Sequence, residues 1–224
     1  MSSSRSARRA LARVPPLERL AIAVYNRWFT AEAATRRNSP RGYDRLYGSD
    51  RLLAQYLDPS RVELYDQVAR IVAAYRPRRV VDVGSGAGQF LAALALRLDA
   101  AAELVGVEQS SSGIQRARGL LPKADWIHGA LQDVALEPIY DVVVCMEVLE
   151  HVDDAEQALL TLLALRSPSG RLVLTVPDGA VDSWEGHTNF WTRQELESWL
   201  APHGLERLES LDEGRLLLGV VADA

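Results

Sequence analysis

Glu147, Glu150 and His151 fall at i, i+3 and i+4 in VVCMEVLEHV, residues 143–152. Side chains at that spacing share one face if the chain turns helical after Met146. Two carboxylates and an imidazole on one face can hold a divalent cation. The oxygen-rich set favours Mg²⁺, and the imidazole admits Mn²⁺. The same residues can also act without metal, with His151 as a general base or an orienting group. A third reading is the ordinary solvated start of a helix. A later imidazole, His187 in EGHTNFWTRQELESWL (185–200), could join a cation site.

A second chemical signal is VVDVGSGAGQF, residues 80–90. Gly84, Ser85 and Gly86 follow an apolar run and precede a helical one. Glycines there let the backbone turn tightly and approach a ligand closely. Glu108 ends the next apolar run, 20 residues after Gly88, with Gln109 beside it. An acid at that point can accept hydrogen bonds from both ribose hydroxyls of a nucleoside. A nicotinamide dinucleotide is one candidate, since its pyrophosphate would face the helix N-terminus.

The elements that must position these groups follow from hydrophobic period. Short apolar runs at 79–84, 103–108, 124–129, 140–146 and 170–177 read as strands. They alternate with helical patterns at 89–98, 112–121, 154–166 and 192–204. That alternation predicts an α/β fold, a mostly parallel sheet with helices on both faces. Thr192 and Glu195 form a capping box for the last helix, and Gly204 stops it. LERLESL and GRLLLGVVA, joined by Asp212-Glu213-Gly214, predict a closing pair of antiparallel strands. Upstream, 15–29 reads as a helix, 36–42 as a loop, and 43–75 as two short helices broken near Asp58-Pro59. Residues 15–58 are expected to form a helical lid ahead of a domain at 59–224. Tyr43, Tyr47 and Tyr56 either line a site or pack on the core. Trp184, Phe190 and Trp191 are open to the same two readings. His128 is expected to be half-buried, and His203 to sit at a helix C-terminus, where it complements the dipole.

Composition narrows the classes. With 48% hydrophobic residues the chain can bury one sizeable core. A lone cysteine, Cys145 in an apolar run, allows no internal disulfide or thiolate cluster. No apolar run approaches the ~20 residues of a membrane span, and no secretory segment is evident, so the expected location is cytoplasmic. Residues 1–51 carry 11 Arg against 4 acids, whereas the rest is strongly acidic and the chain nets −5. MSSSRSARRALAR resembles a transit peptide in composition; we read residues 1–14 as a disordered basic tail. The acidic body disfavours broad nucleic-acid binding, while the basic N-terminus leaves it open.

Asp82-x-Gly84-x-Gly86-x-Gly88 with an acid at the second strand end resembles the class I S-adenosylmethionine-dependent methyltransferases. The resemblance covers roughly residues 60–221 and implies a Rossmann-like seven-stranded sheet with the last strand antiparallel. It implies that Asp82, Gly84, Ser85 and Gly86 cradle the methionine part of S-adenosylmethionine. Glu108 and Gln109 would hold the ribose. GALQD (129–133) would flank adenine, chiefly through Leu131 and Gln132, and Cys145 and Met146 would lie beside the cofactor. Ala130 departs from the acid that many members carry there. VVVCMEVLEHV is similar to the ubiquinone-pathway O-methyltransferases, which methylate one hydroxyl of a catechol. Glu-x-x-Glu-His with a later His four residues before Trp-Thr-Arg is similar to the small-RNA 3′-terminal 2′-O-methyltransferases. Members of that group bind a cation through such a quartet, which maps to Glu147, Glu150, His151 and His187. His151, Glu147 and His187 are then the expected catalytic residues. Both groups' substrates present vicinal hydroxyls. The expected activity is O-methylation of a small-molecule vicinal diol or catechol, with a divalent cation. An RNA 3′ end and a non-catalytic cofactor-binding scaffold are the alternatives.

Overall fold

A computed structural model describes residues 38–133, 137, 139–184 and 186–222. The expected tail and the 15–29 helix lie outside the described residues. Seven strands form one sheet: β1 (Arg79–Val83), β2 (Glu103–Glu108), β3 (Asp125–His128), β4 (Tyr140–Met146), β5 (Arg166–Pro177), β6 (Leu205–Leu211) and β7 (Leu216–Ala222). Their spatial order is β3-β2-β1-β4-β5-β7-β6. β1 to β5 run parallel, and β7 is antiparallel to both β5 and β6. The predicted Rossmann-like sheet, with its antiparallel last strand, is therefore observed.

The strands are apolar on both sides because both sides are covered. In β4, Val142, Val143, Val144 and Cys145 are all buried. On one face lie Val68 of α3 (Pro59–Ala74), Phe90, Leu91 and Leu94 of α4 (Gln89–Ala95), and Ile114 of α5 (Ser111–Leu120). On the other lie Leu159 and Leu162 of α6 (Ala155–Ala164), and Leu196 and Leu200 of α7 (Arg193–Leu200). Each such side chain contributes about 1.5–3 kcal/mol when fully buried. The capping box of Thr192 and Glu195 forms as expected. Gly204 ends the following turn at φ 87°.

The segment before the sheet differs from expectation. Residues 43–75 were expected to give two helices after a loop; α1 (Pro40–Gly48), α2 (Asp50–Tyr56) and α3 are observed. Ser39 caps α1 by accepting from Gly42 N–H at 3.2 Å, with Pro40 preset for the first turn. Ser49 caps α2 by accepting from Leu52 N–H at 3.3 Å. Ser-Pro and Gly-Ser are thus helix starts here. Asp58 caps α3 through Arg61 N–H at 2.9 Å, so the break at Asp58-Pro59 stands. His128 is exposed, not half-buried. It lies at the end of a sheet-edge strand, where its Nε2 meets Gln109 O at 2.9 Å.

Candidate active site

Strand order reverses between β1, which leads out to β2, and β4, which leads out to β5. In sheets of this kind the crevice beyond the strand ends at such a point is the ligand site. A cavity of about 1070 Å³ opens there, lined by the β1–α4 loop, Glu108, Gln109, Leu131, Gln132 and Met146 among others. Gly84 has φ +80° and Gly86 φ +56°, a region that L side chains rarely adopt. A Cβ on Gly84 would lie 2.3 Å from Val148 Cγ2, and one on Gly86 would lie 2.8 Å from the Tyr47 hydroxyl. Both positions require glycine. The buried Glu108 carboxylate accepts from Gly86 N–H at 2.9 Å and from Ser110 N–H at 2.8 Å. Burial raises its pKa, while the Ser110 and Gly86 N–H groups act against that rise. Burial, reinforced by Glu108, pushes the Asp82 carboxyl up to about 8. Ser85 is buried, and its hydroxyl donates to Val107 O at 3.3 Å.

At the end of β4 the chain does not enter an α-helix, as the one-face reading required. Glu147 N–H still donates to Thr175 O of β5 at 3.0 Å, and Glu147 then takes φ +52°. A single 3₁₀ turn, Leu149–His151, follows. The kink separates Glu147 from the other two residues. Its carboxylate accepts from Arg61 of α3 at 2.8 Å, and the same Arg61 nitrogen donates to the Tyr56 hydroxyl at 3.2 Å. Glu150, by contrast, is 1% exposed, and its Oε2 has no hydrogen-bond partner among the described residues. Burial, then the charge of Glu147, push its carboxyl well above the usual carboxylate range. Glu150, His151 and His187 each offer a ligand atom, and these atoms lie within 4.8 Å of one another. Burial, then the nearby His187, lower the His151 pKa to about 4, so the ring is neutral at physiological pH. Imidazole nitrogens and a carboxylate oxygen can hold a divalent cation.

The description Methyltransferase domain belongs to a family whose sequence pattern matches residues 55–210. The chain belongs to that methyltransferase family. The ubiquinone biosynthesis O-methyltransferase of Schizosaccharomyces pombe mitochondria is 30% identical over 133 residues, covering 57% of this chain and 48% of the relative. Its counterpart in Bordetella avium is 33% identical over 120 residues, covering 51% of this chain and 47% of the relative. The methyltransferase thus spans about half the length of the curated relatives it matches. The N-methyltransferase NodS of Bradyrhizobium japonicum, crystallised with S-adenosyl-L-homocysteine, has the same fold. The TM-score is 0.71 at 18% identity, over 83% of this chain and 98% of that one.

Sequence reasoning singled out the cofactor loop, Glu108 and the Glu150, His151 and His187 cluster at the cavity, but not the supporting residues Arg61, Asp44 and Asp182. Arg61 lies 86 positions from Glu147, and no local pattern links them. Asp44 of α1 accepts from the hydroxyls of Ser110 and Ser111 and from Ser112 N–H, at 2.7, 3.1 and 3.0 Å. Asp182 meets His187 Nδ1 at 2.6 Å. Its spacing of five residues before a candidate ligand was the available signal. Tyr43, Tyr47 and Tyr56 satisfy both readings offered for them, since all three line the cavity and pack on one another. Trp184 lines the cavity and meets His187 with ring centres 4.7 Å apart. Phe190 meets His187 edge-on at 6.1 Å, and Trp191 instead stacks on Trp199 at 4.9 Å. No helix among the described residues is long and apolar enough to cross a membrane.

Proposed function

We propose that this methyltransferase uses S-adenosylmethionine to methylate a hydroxyl of a small vicinal diol or catechol-like molecule, aided by a divalent cation. The observation that carries the reading is the unpartnered, buried Glu150 Oε2 beside two imidazoles at the cofactor cavity. A buried polar atom without a partner costs about 1–3 kcal/mol, and a bound cation would remove that cost. The cradle also fits the proposed cofactor. Gly84 and Gly86 leave room where a Cβ would collide, and buried Glu108 is an acceptor at the second strand end. S-adenosylmethionine supplies an electrophilic methyl group. A cation at Glu150, His151 and His187 would supply charge that lowers the pKa of a neighbouring hydroxyl.

The chain's own residues bind and orient. Asp82, Ser85 and the glycines shape the methionine end, Glu108 and Gln109 serve the ribose, and Leu131 and Gln132 flank the base. Met146 lines the cavity. Glu147 lines the same cavity, with its carboxylate held by Arg61. We include it among the cation-site and catalytic residues with His151 and His187. Neutral His151 can also take the acceptor's proton if no cation is used.

The test is transfer of labelled methyl from S-adenosylmethionine to a catechol and, in parallel, to a short RNA with a free 3′-terminal diol. Each is run with Mg²⁺ or Mn²⁺ and repeated with EDTA. Catechol labelling that EDTA abolishes is expected. Labelling that survives EDTA would keep the hydroxyl acceptor and remove the cation. Labelling of RNA alone would replace the small-molecule reading. No labelling of either, with cofactor binding verified in the same sample, would overturn the diol reading. Glu147→Ala should spare cofactor binding and abolish cation-dependent transfer; unchanged turnover would take Glu147 out of the site.

A further inference from the structure

His187 is held through its Nδ1. Its Nδ1 lies 2.6 Å from Asp182 Oδ2, and the two side chains are only 10% and 14% exposed. A carboxylate accepts hydrogen bonds and does not donate them, so His187 Nδ1 carries the proton. That leaves Nε2 as the ring nitrogen not engaged by Asp182. His151 is treated in a parallel way. Its Nδ1 faces Gly186 O at 3.4 Å, and its Nε2 lies 3.9 Å from Glu150 Oε1. The backbone around these contacts is tied down. Asp182 Oδ1 accepts from Trp184 N–H at 3.2 Å, His187 N–H donates to Trp184 O at 3.1 Å, and Gly186 O accepts from Asn38 Nδ2 at 2.8 Å. A Cβ on Gly186 would lie 2.3 Å from the Trp184 ring, so this close packing depends on glycine.

We infer that Asp182 is a positioning residue that fixes His187 as the Nδ1–H tautomer and presents Nε2 to the Glu150–His151 cluster. Hydrogen bonds of this kind orient a ligating ring and raise its basicity. The part of the inference that concerns cation binding rests on the function proposed above. The tautomer itself does not.

The experiment uses the full chain, wild type against Asp182→Asn, with Asp182→Ala as a second variant. Asn keeps an oxygen for the Trp184 N–H, so the turn at 182–184 survives while the charged acceptor for His187 is lost. The first readout is ¹⁵N NMR of the metal-free protein at mildly alkaline pH, which reports which His187 nitrogen carries the proton. The wild type should show Nδ1–H, and both variants should shift toward a mixture with Nε2–H. An Nε2–H ring in the wild type, or the same tautomer in all three proteins, would overturn the inference. The second readout is Mn²⁺ affinity by electron paramagnetic resonance, which should fall about 10–100-fold in both variants. Unchanged affinity would overturn the ligand-positioning role. If the wild type binds no Mn²⁺, the cation reading fails, and the tautomer result alone decides whether Asp182 positions His187.

Discussion

Glu108 accepts from Gly86 N–H of the cofactor loop, and the proposed function also gives it the ribose. Glu108→Ala should therefore weaken S-adenosylmethionine binding by about 1.5–3 kcal/mol, roughly ten- to a hundredfold by calorimetry. Unchanged affinity would take the ribose contact away from Glu108. Asp82 carries a different signature. Its carboxyl titrates at about 8 in the fold, against 3.8 for a free side chain. Between those values the folded chain holds a proton that the unfolded chain has released. Stability then falls as pH rises from 3.8 to about 8. Other buried acids act in the same direction, so the variant is the control. Asp82→Asn should flatten the decline in melting temperature across that range, and a parallel profile would show that Asp82 is not its source. Gly84, Gly86 and Glu108 were legible in the sequence because each role is fixed by a few neighbouring residues. Arg61 and Asp182 were not. The first meets Glu147 across the fold, and the second matters only because its carboxylate meets His187.

Among the elements, α1 is held chiefly by α5. It is nine residues long and closes over the cofactor loop, with the Tyr47 hydroxyl above Gly86. Its attachment to α5 is polar. Asp44 sits on the α5 N-terminus, and Arg116 reaches back to Asp50 at 2.6 Å and to Tyr47 O. Contacts so close to solvent are broken more cheaply than the buried sheet. Asp44→Ala should speed amide exchange across residues 40–56 and raise the cofactor dissociation rate, while leaving exchange in β1 and β4 unchanged. Equal protection in variant and wild type would mean that Tyr47 packing alone holds the helix down. The existence of this helical region was legible, and its subdivision was not. Gly48-Ser49 interrupts the apolar period by one turn only, so periodicity alone bridges a break that the Ser49 cap enforces.

For the whole molecule, the cavity volume sets a requirement. About 1070 Å³ exceeds the space one small ligand needs, which suits a cofactor and an acceptor bound together. The alternation of strands and helices made the parallel body legible. The Asp212-Glu213-Gly214 turn marked an antiparallel ending, since three successive positive φ values of 49°, 55° and 87° reverse the chain there. Burial decides which of the last two strands lies against β5, since β7 is apolar throughout whereas β6 alternates with charged residues. The answer, β7, has a consequence for how the protein is made. β7 follows β6 in the chain yet fills an interior place, flanked by β5 on one side and β6 on the other. A ribosome-bound chain that has released residues up to 211 holds β6 with no neighbour and leaves one flank of β5 bare. Assembly of that end of the sheet waits for translation to pass residue 222, so chaperone binding during synthesis should concentrate on chains stalled between those two points.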